Sequence, residues 1–96
     1  MNRDRILVTL KQHQATLHQL GVQAMWLFGS VARDEAHAAS DVDVLVELES
    51  PLTFDRYMNV KLYLEDLLEA KIDLVTKKSL KSQIRETVEQ EAIRVA

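Results

Sequence analysis

Asp41 and Asp43 stand two residues apart in a stretch that alternates polar and apolar, so both carboxylates leave the same face of a strand. Asp73 lies between Ile72 and Leu74 in another short β-type run. Aspartate is poorly suited to strand interiors, and an unpaired buried carboxylate is costly. Three such placements in one small chain suggest a shared cause, and a divalent cation is the economical one, because Mg²⁺ takes hard oxygen ligands, usually a few carboxylates together with substrate phosphates. Upstream lies Phe28-Gly29-Ser30-Val31-Ala32-Arg33. A glycine there lets backbone N–H groups approach a phosphate, and a helix opening at Ser30 adds unsatisfied donors and a positive dipole end. The Ser30 hydroxyl is a further donor. Arg33, one turn on, has the geometry to pair with phosphate or with an aspartate of the site. A phosphate cradle beside a carboxylate cluster suits metal-assisted phosphoryl or nucleotidyl transfer.

The elements that must position these residues follow from periodicity. Ile6, Leu7, Leu10, Leu17 and Leu20 recur at helical spacing and predict a first helix over residues 3–20, ending at Gly21. Residues 22–28 are short, apolar and rich in β-formers, which predicts a strand closed by Gly29. A short helix is expected over residues 30–35 and a loop over 36–40. Residues 41–49 alternate strictly: Asp41, Asp43, Leu45 and Glu47 face one way, Val42, Val44, Val46 and Leu48 the other. Ser50 or Thr53 is placed to cap a long amphipathic helix over residues 53–70. A third strand is expected over 71–76 and a last helix over 80–92. Residues 93–95 fit either a continuation of that helix or a short terminal strand. The order α-β-α-β-α-β-α predicts one small α/β (α+β) domain with helices packed on a mixed sheet.

Composition narrows the class of function. Ninety-six residues allow a single small domain over residues 1–96. The net charge of −3 excludes a broadly basic nucleic-acid binder, though not a local basic patch. With no cysteine, disulfide frameworks, zinc–thiolate sites and thiol nucleophiles are excluded. The longest apolar run covers only residues 24–28, far short of the roughly 20 residues of a membrane span, and nothing near the N-terminus has the core of a signal peptide. A cytoplasmic location is the expectation.

Taken together, Gly29-Ser30-Val31-Ala32-Arg33, then Ser40-Asp41-Val42-Asp43-Val44-Leu45-Val46, then Ile72-Asp73-Leu74-Val75, resemble the nucleotidyltransferase superfamily of the DNA polymerase β type. The likeness is nearest to its smallest branch, the minimal (MNT-type) nucleotidyltransferases, and spans the whole chain. The combined pattern is specific where either half alone is not. Haloacid-dehalogenase-like and glycosyltransferase sites also use spaced aspartates, but neither expects Gly-Ser-x-x-Arg upstream. The resemblance implies the polymerase β-like nucleotidyltransferase fold, with Asp41, Asp43 and Asp73 as catalytic metal ligands for two Mg²⁺ ions. Gly29, Ser30, Arg33 and Ser40 would be the nucleotide-binding residues, for ATP or another NTP. It also implies transfer of AMP to a hydroxyl of a partner protein, a HEPN-type toxin to which this chain is the antitoxin, in a hetero-oligomer with no direct nucleic-acid or membrane partner. One departure is that residues 34–39 lack the Gly or basic residue often found after the signature arginine. The shortness of the chain leaves no acceptor-binding domain, which raises the expectation of a protein partner.

Other readings stay open at this level. The chain is alternatively a non-catalytic antitoxin that neutralises its partner by complex formation, or an adenylyltransferase acting on aminoglycoside-type small molecules. Asp73 alone also fits an edge-strand residue paired with Lys71 or Arg33. His13 and His18 fit the surface of the first helix, and His37 lies in the loop near the site. Trp26, Phe28, Tyr57 and Met58 fit core better than a base-stacking platform. Lys77, Lys78 and Lys81 fit a solvated loop, or a contact to triphosphate or to an acidic partner. Leu62, Leu64, Leu67 and Leu68 exceed one narrow stripe, which suits burial or an apolar face for a partner.

Overall fold

A computed structural model of the chain describes the backbone of residues 2–33, 41–80 and 82–96, and the side chains of all of these but 82–84. Helices α1 (Arg3–Gln12) and α2 (Gln14–Gln19) lead into β1 (Val22–Phe28) and a single-turn helix, α3 (Gly29–Ala32). Next come β2 (Val42–Leu48), the long α4 (Phe54–Leu68) and β3 (Ile72–Thr76). A 3₁₀ turn at Lys77–Ser79, α5 (Ser82–Glu91) and β4 (Ile93–Arg94) complete the order. The sheet is mixed, in the order β3-β2-β1-β4, with β2 and β3 parallel and the other pairs antiparallel. No helix among the described residues is long and apolar enough to cross a membrane.

The alternation of β2 divides the interior in two. Val42, Val44, Val46 and Leu48 pack into the large cluster with Ile6 and Leu10 of α1, Leu17 of α2, and Val60, Leu64 and Leu68 of α4. On the opposite face Leu45 packs with Leu80 and with Val88 of α5, flanked by Trp26, Phe28 and Val75. The first face is closed over by three helices. The second is covered only in part, and the remainder of it carries the polar residues.

Two elements differ from the periodicity. The helix expected over residues 3–20 breaks at His13, whose N–H bonds to the Leu10 carbonyl at 3.1 Å and whose Nδ1 lies 2.8 Å from the Thr9 carbonyl oxygen. At the break the Gln14 side chain donates to the Val95 carbonyl at 2.7 Å, joining the helix pair to the end of the chain. Of residues 93–95, open between helix and strand, the first two form a fourth strand: Trp26 pairs with Arg94 and Leu27 with Ile93, and just beyond it the Val95 N–H donates to the Met25 carbonyl at 2.8 Å. The order is therefore extended by a strand beyond the expected α-β-α-β-α-β-α.

Helix α4 is the crossover between the parallel strands β2 and β3. Thr53 caps its start, accepting from the Arg56 N–H at 3.1 Å. Leu64 and Leu68 are buried and Leu67 packs at the margin, so the exposed apolar side chains of α4 reduce to Phe54 and Leu62. The helix also closes the free edge of β3. Because Val42 N–H bonds to the Lys71 carbonyl, the polar groups of Ile72 and Leu74 point away from β2. Tyr57 donates its hydroxyl to the Leu74 carbonyl at 2.6 Å, and Glu65 accepts from the Ile72 N–H at 3.3 Å. Unpaired edge groups invite strand addition, and here two side chains occupy them. Tyr57→Phe is expected to lower the unfolding free energy by about 1 kcal/mol, measured by urea denaturation with the slope unchanged.

Candidate active site

Asp43 and Asp73 are direct partners in the parallel register of β2 and β3. Their side chains therefore emerge side by side on the partly covered face, on strands about 4.8 Å apart. A hydrogen bond joins the two carboxyl groups, and the Asp43 pKa is pushed up to about 6. Burial is the first cause, followed by the charge of Asp73, that hydrogen bond, and the charge of Asp41, with Arg33 opposing them. Two adjacent carboxylates resist being ionised together. Asp73, on the edge strand, is exposed. Burial of the Tyr57 hydroxyl raises its pKa, and the charge of Asp73 adds to that rise.

Gly29 is fitted to this pair. Phe28 is the antiparallel partner of Asp43, so the next residue turns directly past the carboxylate. A Cβ on Gly29 would lie 2.9 Å from Asp43 Cγ and nearer still to Oδ2. The φ of +73° is a second reason for glycine at this position. From here the chain enters α3, one turn anchored by buried Val31 and Ala32, with the Arg33 N–H bonded to the Gly29 carbonyl at 3.2 Å. Ser30, half-buried, follows Gly29 at the start of this turn. Arg33 is reached by Glu91 at the end of α5, with Nη1 to Oε2 at 2.9 Å.

The structure thus brings Gly29, Ser30, Asp43 and Asp73 to one place, with Arg33 close enough to influence Asp43. Asp41 precedes β2 and is exposed. It adds its field but does not complete a three-ligand cluster, and no group of three His or acidic side chains among the described residues converges as a metal centre. Ser40, His37 and Lys81 lie outside the described residues. The donor chemistry fits a divalent cation: two adjacent hard-oxygen carboxylates whose mutual repulsion a cation relieves, against a glycine that keeps the approach open. Three features were not foreseen from the sequence. Glu91 as the partner of Arg33 carries no local signal, being one of several acids on an amphipathic helix. The Tyr57 contact to the edge of β3 depends on how α4 packs. Trp26, expected in the core, lies at the margin of the smaller cluster with Lys77 Nζ 5.0 Å and the Arg94 guanidinium 5.5 Å from its ring centre.

A family model for the nucleotidyltransferase domain matches residues 8–95. The protein adenylyltransferase MntA of Thermococcus cleftensis is 41% identical over 87 residues, spanning 90% of this chain and 88% of that relative. A solved structure named for a minimal nucleotidyltransferase superposes with a TM-score of 0.86 at 34% identity, covering 97% of this chain and 95% of that one. A chain from a complex of the tri-AMPylated Shewanella oneidensis HEPN toxin with MNT antitoxin shares the fold, at TM-score 0.67 and 18% identity, over 94% of this chain and 71% of that one.

Two outcomes follow from the geometry. Gly29→Ala is expected to destabilise the fold by about 2–4 kcal/mol, from the left-handed backbone and the clash with Asp43, measured by chemical denaturation. Asp43 holds its proton more tightly folded than unfolded, so its contribution stabilises fully below about pH 4 and is lost as the pH rises through about 6. Without divalent cations, stability should therefore fall over that window by roughly 1 kcal/mol after solvent screening. Urea titrations across pH 4–7 should show a flatter profile for Asp43→Asn.

Proposed function

The chain belongs to the nucleotidyltransferase domain family, and from that premise we propose that it is a Mg²⁺-dependent protein adenylyltransferase, transferring AMP from ATP to a hydroxyl of a partner protein. The observation that carries the reading is the Asp43–Asp73 pair set against Gly29 at the mouth of a one-turn helix. The similarity to MntA of Thermococcus cleftensis, named a protein adenylyltransferase, supports the choice of AMP and of a protein acceptor. The Shewanella complex supports a HEPN-type toxin as that acceptor, with this chain as its antitoxin in a hetero-oligomer.

Asp43 and Asp73, with Asp41 beside them, would hold two Mg²⁺ ions, whose charge offsets both the repulsion within the pair and that of the triphosphate. Gly29 and Ser30 would bind the β- and γ-phosphates through backbone N–H groups and the hydroxyl. Ser40, next to Asp41 in the sequence, would be a further nucleotide-binding residue by the family resemblance. Arg33, steadied by Glu91, would contribute positive charge at the phosphates. The acceptor hydroxyl oxygen attacks the α-phosphorus in line, the bond from that phosphorus to pyrophosphate breaks, and the hydroxyl proton passes to Asp73. Asp73 is suited to that role because it is exposed at the strand edge, where an acceptor side chain can reach it.

Incubation with labelled ATP, Mg²⁺ and the HEPN partner should label the partner. Asp43→Asn and Asp73→Asn should each reduce labelling by about a thousandfold or more. Labelling that survives both substitutions sinks the mechanism. A doubly substituted protein that still neutralises the toxin would show that complex formation, not transfer, is the means of protection.

A further inference from the structure

Resting on the transferase reading, we propose that the cleft at the far end of β2 and β3 binds an acidic segment of the protein acceptor. The cleft has a volume of about 370 Å³ and is lined by Gln23, Glu47, Leu52, Lys77, Lys78 and Arg85, among others. Three cations meet one carboxylate here, on a chain whose overall charge is −3, so the local field opposes the net one. Lys77 is partly engaged, its Nζ 3.9 Å from Glu47 and over the Trp26 ring. Arg85 braces the 3₁₀ turn, its Nη2 3.4 Å from the Lys77 carbonyl oxygen. Lys78 is exposed and makes no ion pair among the described residues.

The placement ties the cleft to the reaction. Glu47 lies four residues beyond Asp43 on β2, and Lys77 four beyond Asp73 on the chain leaving β3. At about 3.3 Å per residue that is roughly 13 Å. Leu80 and Val88 cover Leu45 between the two ends, so an acceptor segment reaching from one to the other passes over that cover and carries its acidic residues at least about four positions from the hydroxyl that is modified. The lining favours peptide over nucleic acid. Glu47 repels a continuous phosphate chain but tolerates spaced carboxylates, and exposed Leu52 offers an apolar seat for an aliphatic side chain. Trp26, the nearby aromatic ring, already has Lys77 and Arg94 against it, cations that a stacked base would have to displace.

The probe is a fluorescein-labelled ten-residue peptide with four glutamates at alternate positions, followed by fluorescence anisotropy at low salt. It should bind the full chain, and the same peptide with glutamines should not compete. Lys78→Glu should weaken binding about fivefold and Lys78→Glu with Arg85→Glu about twentyfold. ATP binding and the thermal midpoint, checked alongside, should be unchanged for Lys78→Glu. Equal affinity for the glutamine peptide, or an undiminished affinity in the double variant, overturns the proposal. So does a decauridylate that binds more tightly than the glutamate peptide and loses affinity in the same variants. A chain that binds the peptide but labels no partner would keep this inference and lose the transferase reading. A double variant that labels the partner as efficiently as the unsubstituted chain would do the reverse.

Discussion

Asp43 and Asp73 occupy matched positions on parallel neighbouring strands, and their carboxylates meet although their charges oppose it. Such a pair is stable only where a proton is shared or a cation is supplied. The chain is built around tolerating it. Gly29 makes room beside Asp43, the open part of the sheet face keeps Asp73 in water, and Arg33 offers a partial countercharge held in place by Glu91. Each of these would be a poor choice for stability alone. Together they keep an electrostatic demand unmet within the protein, and that unmet demand is what a bound cation would satisfy under the proposed function.

The rest of the fold supplies the rigidity that this demand requires. Parallel pairing of β2 with β3 needs a crossover, and α4 provides it while burying Val60, Leu64 and Leu68 against the sheet. The same helix blocks the edge of β3 through Tyr57 and Glu65, so the strand that carries Asp73 cannot slip or recruit another chain without breaking those bonds. On the opposite side β4 pairs with the middle of β1, and Gln14 ties the end of the chain to the helix pair. The carboxylates thus sit between two strands whose outer neighbours are fixed, which favours a register that does not drift.

Much of this was legible in the sequence, for identifiable reasons. The period-2 pattern of Val42, Val44 and Val46 marks a strand with one face in the core, and it necessarily turns Asp43 to the other. Gly29 was legible because a glycine between a strand and a helix has few explanations other than close approach or a left-handed backbone, and here both hold. What was not legible depends on contacts between distant residues. Nothing local aligns Asp43 with Asp73, which are thirty positions apart, and a shift of one residue would have separated them. The break at His13 is invisible in apolar spacing because Leu10 and Leu17 remain on compatible faces across it. The two-residue strand β4 is too short for any periodicity, and its partner on β1 decides its conformation. Arg33 reads from the sequence as a partner for phosphate or for an aspartate of the site; its further contact to Glu91 arises only from the packing of α5 beside α3.

Strand β2 carries a gradient of charge along the face turned from the main core, its two ends open on either side of buried Leu45. At its start Asp43 lies with Asp73 beside it and Asp41 just before it; at its end Glu47 is outnumbered by Lys77, Lys78 and Arg85. The two ends are about 13 Å apart, further than the Debye length of about 8 Å at physiological ionic strength, so each end acts on a ligand largely without cancelling the other. A formal net charge of −3 conceals this separation. A single short strand can therefore present a cation-seeking and an anion-seeking surface on the same face, and a molecule bridging them is oriented by their order along the chain. Orientation of this kind needs no second domain, only a sheet stiff enough to hold the two fields at a fixed distance.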